Sequence, residues 1–213
     1  MRSLSRLDKP RILIDKEKEW LDALITSGKK RPDSSKYGNR KVLNELMNIS
    51  STKCYYCESL LKGVPSEIDH YIEVACDKML SYQWENLYLS CSNCNSKTPH
   101  NIIPVSDALD PFLDSDEEIE RHLVFDDELI LPKNDSAKGR LTIRKFKLDS
   151  EYLDYLRLKE LKKFSKLLQQ FQKTAIAEKR ELNKSELEVL QRFTYFESPY
   201  SLMFNSYLSE VLK

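Results

Sequence analysis

Residues 54–98 read CYYCESLLKGVPSEIDHYIEVACDKMLSYQWENLYLSCSNCNSKT, a stretch bracketed by two Cys-x-x-Cys pairs, Cys54/Cys57 and Cys91/Cys94. A Cys-x-x-Cys turn sets two soft thiolates on one edge of a tetrahedron. Two such turns close a structural zinc site that has no open position and therefore no catalytic role. The competing redox assignment needs only one pair and a βαβ setting, which is missing here. The 33 residues between Cys57 and Cys91 exceed the usual zinc-ribbon gap and leave room for a hairpin or short helix between the knuckles. Inside that gap lie Asp69-His70 and, in the half-apolar run Asn86-Leu87-Tyr88-Leu89, Asn86; Asn95 directly follows the last cysteine. A hard divalent cation prefers oxygen ligands, which the Asp69 carboxylate and the Asn95 amide would supply. An unliganded His70 nearby would take a proton from water at neutral pH. Strand parity opposes the grouping, because neighbouring side chains point to opposite faces. Asp69 and His70 share one site only if the strand is irregular there or the metal sits at its edge. Glu67 and Glu73 read as exposed strand carboxylates, Cys76 as a small buried apolar residue, and His100 and His122 as surface or capping groups.

Working outward, the chain of 213 residues is long enough to bury a core of its own, so zinc need not carry all the stability. The 34 Lys and Arg balance 34 Asp and Glu, which argues against a purely electrostatic nucleic-acid coat protein. The balance hides an asymmetry: Lys29, Lys30, Arg31, Lys36, Arg40 and Lys41 gather before the cysteines, and acids gather from Asp107 to Glu128. The first cluster suits phosphates and the second repels them. No signal-peptide core or spanning run of ~20 apolar residues is visible, so a cytoplasmic protein without membrane contact is expected. An extended arm over residues 1–13 precedes a helix capped by Asp15, running through Trp20 and Leu24 to Gly28. After the basic loop comes a helix carrying Val42, Leu43, Leu46 and Met47. A strand over Glu67–Val74, a short helix or loop near Asp77–Tyr82, a strand ending at Cys91 and a short helix at the second knuckle complete the centre. Beyond Pro104, FDDELILPK and RLTIRKFKL read as a hairpin whose turn is PKNDSAKG. Asp149 or Ser150 then caps a long helix striped by Leu161, Phe164, Leu168 and Phe171. Helices at Ser185–Phe196 and Ser198–Leu212 finish the chain. The expected class is α+β, mainly helical, in three parts: an N-terminal arm and helices over 1–53, the zinc-stapled centre over 54–104, and an acidic linker, hairpin and helical region over 105–213.

The pattern CxxC, DH, N, CxxCN-x-K resembles the HNH nucleases of the ββα-metal class in their zinc-stapled form. The resemblance implies His70 as general base, Asp69 and Asn95 as ligands of a catalytic Mg²⁺ or Mn²⁺, and Asn86 as the brace that orients His70. It further implies Cys54, Cys57, Cys91 and Cys94 as structural Zn²⁺ ligands and Lys97 as a phosphate contact, joined by Lys29, Lys30 and Arg31 on the basic loop. More narrowly, CYYCE, DHY, W-x-N-L-x-x-S-C-x-x-C-N and a later TI…L…YL…R resemble PtuB-type nucleases of Septu anti-phage systems. That resemblance implies a DNA-cutting effector restrained by an SMC-like ABC ATPase of the PtuA type, with the striped and aromatic C-terminal helices as a docking surface or simply as a helical core. Two alternatives stay open: a nuclease for RNA or tRNA linked to a retron reverse transcriptase–msDNA complex, and a zinc-stapled nucleic-acid-binding or scaffold module without catalysis.

Overall fold

Pro10 ends an extended arm and opens the first helix. In the computed structural model, which describes residues 1–211, α1 spans Arg11–Thr26 with Pro10 as its N-cap. The helix therefore begins a turn before the expected Asp15, which lies inside it and pairs with Arg11 at 3.1 Å. The fixed φ of proline suits a helix start, where its missing N–H is not needed. A short helix, α2 (Ser34–Tyr37), interrupts the basic loop, capped by Asp33. Helix α3 (Arg40–Ser50) is capped by Asn39 and buries Val42, Leu46 and Ile49, the three-and-four spacing of an amphipathic face.

The centre is a hairpin followed by a helical turn. Strand β1 (Glu67–His70) pairs antiparallel with β2 (Leu87–Ser90), in the register Glu67↔Ser90 to His70↔Leu87, and α4 spans Ser92–Asn95. Sequence periodicity carried β1 on to Val74; it stops at His70. Asn86 explains the stop. Its Oδ1 accepts from Ile72 N at 2.8 Å, and its Nδ2 donates to Ile72 O at 3.0 Å and Leu80 O at 3.3 Å. The side chain thus satisfies backbone groups that a longer ladder would have paired.

A second correction concerns the expected hairpin. After α5 (Asp116–His122), β3 (Leu123–Asp126) pairs with β4 (Leu129–Pro132), turning at Asp127, whose φ is 48°. The left-handed region is one that Asp tolerates. The run RLTIRKFKL is not the partner strand but most of α6 (Ala137–Phe146), capped by Ser136. Its buried Gly139, Thr142, Ile143 and Phe146 recur at helical spacing, so the segment satisfies a helical face as well as a pleat. Gly139 is obligatory for close packing: a Cβ there would lie 2.1 Å from His122 O.

Ser150 caps α7 (Glu151–Ala177), followed by α8 (Lys184–Gln191) and α9 (Ser201–Val211). The helix expected over Ser185–Phe196 gives way at Arg192 to a tighter 3₁₀ turn. The last helix begins three residues after the expected Ser198, and its expected end, Leu212, lies outside the described residues. Leu161, Phe164 and Leu168 pack with Leu190, Met203 and Phe204 in a second core, Phe171 against its edge. The stripe is therefore turned inward and covered by the chain's own helices. The first core takes Leu13 and Val42 from the N-terminal helices, Tyr55 and Leu89 from the centre, and Phe146 and Leu202 from later elements. The architecture is α+β and mainly helical. Among the described residues no helix is long and apolar enough to cross a membrane.

Candidate active site and zinc centre

The two knuckles bring Cys54, Cys57, Cys91 and Cys94 together, all buried, with their sulfurs within 4.8 Å of one another. The Cys57–Cys91 sulfur separation is 3.7 Å. A Zn–S bond of about 2.3 Å requires a tetrahedral edge of roughly 3.8 Å, so the sulfurs fit zinc. Glu58 turns the first knuckle with φ 62°, and Ser59 Oγ lies 3.1 Å from Cys57 Sγ, an outer contact that orients the ligand. Cys76 stands apart from the cluster. It is exposed rather than buried, because the chain has left the sheet by that point.

Beside the zinc centre, β1 ends on the acid and the imidazole. Alternation sends Asp69 inward, where it is 5% exposed. Its Oδ2 accepts from Tyr56 Oη at 2.6 Å and from Lys97 Nζ at 2.6 Å. Burial raises the Asp69 carboxyl above its ordinary value, outweighing the pull of Lys97. No group among the described residues bonds Oδ1, which leaves it available to the cleft. His70 Nε2 lies 2.8 Å from Ser81 O. A carbonyl only accepts, so Nε2 carries the proton and Nδ1 carries the lone pair. Burial lowers the His70 pKa below its ordinary value, against the opposing bond to Ser81, so the ring is neutral at pH 7 and able to act as a base. Tyr37 packs edge-on against it, ring centroids 4.7 Å apart. Asn95 Nδ2 donates to the Glu67 carboxylate, which leaves the amide oxygen unclaimed. Oxygen donors from Asp69 and Asn95 suit a hard divalent cation.

These groups line a cleft of about 980 Å³ that takes in Asp69, His70, Asn95, Lys97, Lys30 and Arg31. The basic loop thus meets the centre. Lys29 does not line the cleft; its carbonyl accepts from Lys78 Nζ at 2.8 Å. Lys97 lines the cleft and gives its remaining N–H groups to His70 O at 2.7 Å and Tyr71 O at 2.9 Å. Asn86 sits behind the cleft, buried, pinning the segment that leads to Ser81. Glu67 and Glu73 are half-buried and hydrogen-bonded, not exposed: Glu73 accepts from His100 N at 3.2 Å. His100 Nδ1 in turn accepts from Val105 N, and His122 bonds Ser136 and Glu118.

Residues 54–101 match the HNH endonuclease family. The centre of this chain is thus similar to HNH endonucleases. Two curated relatives are each named Septu protein PtuB. One, from Bacillus thuringiensis, is 29% identical over 96 residues, 44% of this chain and 35% of that protein. The other, from Bacillus mycoides strain KBAB4, is 29% identical over 155 residues, 59% of this chain and 52% of that protein. The chain thus spans about half or less of the length of these relatives. Groups outside the matched segment hold it in shape. Lys145 Nζ donates to Thr98 O and Ile103 O, at 3.1 and 2.8 Å, and Asn93 Nδ2 donates to Lys147 O at 3.1 Å. Sequence reading missed Tyr56, Ser81 and Tyr37 around the acid and the imidazole. A backbone carbonyl such as that of Ser81 has no residue-type signal, and Tyr56 looks like any knuckle aromatic. Tyr37 lies in the basic loop, and no spacing rule ties it to His70.

Proposed function

We propose that this chain is a metal-dependent nuclease whose HNH domain hydrolyses phosphodiester bonds, DNA foremost, as the effector of an anti-phage defence complex. One observation carries the reading: a neutral His70 with its lone pair on Nδ1 lines the same cleft as free oxygens of Asp69 and Asn95 and the cations of Lys30 and Arg31. A non-catalytic knuckle has no use for a base beside two oxygen ligands. His70 Nδ1 takes a proton from the attacking water as the new P–O bond forms and the P–O bond to the leaving oxygen breaks. The Ser81 carbonyl, bonded to Nε2–H, orients the ring and stabilises the imidazolium that results. Asp69 and Asn95 would hold Mg²⁺ or Mn²⁺, which when bound supplies charge stabilisation at the phosphate. Asn86 braces the segment that presents the Ser81 carbonyl, and Lys30 and Arg31 position the nucleic-acid backbone. Similarity to two Septu proteins supports the defence role, with a PtuA-type ATPase as the partner that restrains cutting.

The test is cleavage of plasmid DNA and of total tRNA with Mg²⁺, Mn²⁺ or EDTA, beside His70→Ala. Loss of a general base costs about 10²–10⁴-fold in rate. Metal-dependent cutting that disappears in the variant is expected, and the pool that is cut names the substrate. Equal cutting by wild type and variant refutes the assignment of the base.

A further inference from the structure

Asp69 lies opposite Tyr88, one residue before the β1–β2 ladder ends. Its side chain is held from both cysteine knuckles. Tyr56 sits between Cys54 and Cys57, and Lys97 follows Cys94 by three residues; both bond the same oxygen, Oδ2. The Tyr56 ring is fully buried. It stacks on Phe146 at 4.1 Å and 15°, and lies parallel to Tyr88 at 6.0 Å and 11°. A fully buried ring held by these parallel contacts has little freedom to move its hydroxyl. Phe146 belongs to α6, 45 residues beyond the matched HNH segment.

We infer that Tyr56 is a positioning residue for the cation-binding carboxylate of Asp69, and that Phe146 of α6 holds Tyr56 in place. By occupying Oδ2, Tyr56 leaves Oδ1 as the oxygen presented to the cation, so the zinc knuckles and α6 together set the geometry of the metal-binding acid. The inference rests on the reading of Asp69 as a cation ligand. Outer-shell partners of this kind are worth about 10–100-fold in metal affinity or activity.

Titration calorimetry with Mn²⁺ on the full, zinc-loaded chain tests it, using wild type, Tyr56→Phe, Asp69→Asn, the double variant and Phe146→Leu. Tyr56→Phe removes one oxygen and keeps the stacked ring, so zinc content and the urea midpoint serve as folding controls. The expected result is about 10–100-fold weaker Mn²⁺ binding in Tyr56→Phe, with no further loss when it is added to Asp69→Asn. Phe146→Leu weakens binding in the same direction. If Asp69→Asn binds Mn²⁺ as tightly as wild type, the ligand reading itself falls, and this inference with it. If Asp69→Asn loses binding while Tyr56→Phe keeps it, or if Tyr56→Phe weakens binding equally in the Asp69→Asn background, only the positioning role is overturned. Wild-type affinity in Phe146→Leu removes α6 from the arrangement.

Discussion

Replacing Lys97 by Met tests the centre of the site without reference to catalysis. The Lys97 and Asp69 side chains are 3% and 6% exposed, with Nζ 2.6 Å from Oδ2. The other two N–H groups of the ammonium go to the carbonyls of His70 and Tyr71. Methionine has similar volume and reach, so packing changes little and electrostatics decides the outcome. Removing one partner of a buried pair strands the other, at a cost of about 3–5 kcal/mol, a large part of the roughly 5–15 kcal/mol by which domains are stable. Burial already raises the Asp69 carboxyl, and losing Lys97 raises it further. A folded-state value above the unfolded one means that the folded chain binds the extra proton, so stability falls as pH rises from the unfolded value through the folded one. The deficit of the variant therefore grows as pH rises from the ordinary carboxylate value through the raised one. Urea unfolding of zinc-loaded wild type, Lys97→Met, Asp69→Asn and the double variant gives the cycle. The double variant should be less destabilised than the sum of the singles, because the Asp69 charge is gone together with its partner. A Lys97→Met chain within about 1 kcal/mol of wild type, or strict additivity in the cycle, would falsify the buried pair as described.

Three further outcomes follow from other parts of the molecule. Cys94→Ser, or a strong chelator, should remove one zinc per chain by elemental analysis and lower the urea midpoint, while α7–α9, packed around Phe164 and Phe204, keep their helical signal; an unchanged midpoint would refute a structural site. Lys30→Ala with Arg31→Ala should weaken duplex binding by His70→Ala protein and reduce the salt slope by about 1.8 if each side chain meets one phosphate. An unchanged slope would place the nucleic acid elsewhere. Arg180, then the Asn183 N–H, hold the Glu186 carboxyl down to about 2, against an ordinary value of 4.5. Its contribution is full above 4.5 and lost as pH falls through about 2, so the gap in hydrogen-exchange protection of α8 between wild type and Glu186→Gln should close over that window. A gap that is constant across it contradicts the pairing.

The legible parts of this chain are those where chemistry dictates spacing. Four thiolates on one ion demand two close pairs, and the cysteines are where that rule puts them, sulfurs converged. What escaped was decided by tertiary context. Residues 140–148 satisfy a pleat and a helical face at once, and the choice fell to Ser136, which caps α6, and to Gly139, whose missing side chain lets α6 lie against the His122 carbonyl. The C-terminal stripe could equally have met a partner or the chain itself, and only the placement of α8 and α9 distinguishes the two.

Strand parity sends Asp69 and His70 to opposite faces of β1. The structure satisfies parity and still unites them, because His70 is the last residue of β1. Asp69 points inward to Tyr56 and Lys97 at the floor, and His70 points outward to the Ser81 carbonyl at the wall. A cleft that begins where a strand stops can take residues from both of its faces. Asn86 stops the strand by capturing both backbone groups of Ile72. An Asn86→Leu substitution would therefore act indirectly on His70, the proposed base, by freeing the segment that ends at Ser81. It should lower the cleavage rate while leaving Mn²⁺ affinity at Asp69 near that of wild type. Equal losses of both would mean that Asn86 supports the whole hairpin and not the orientation of His70.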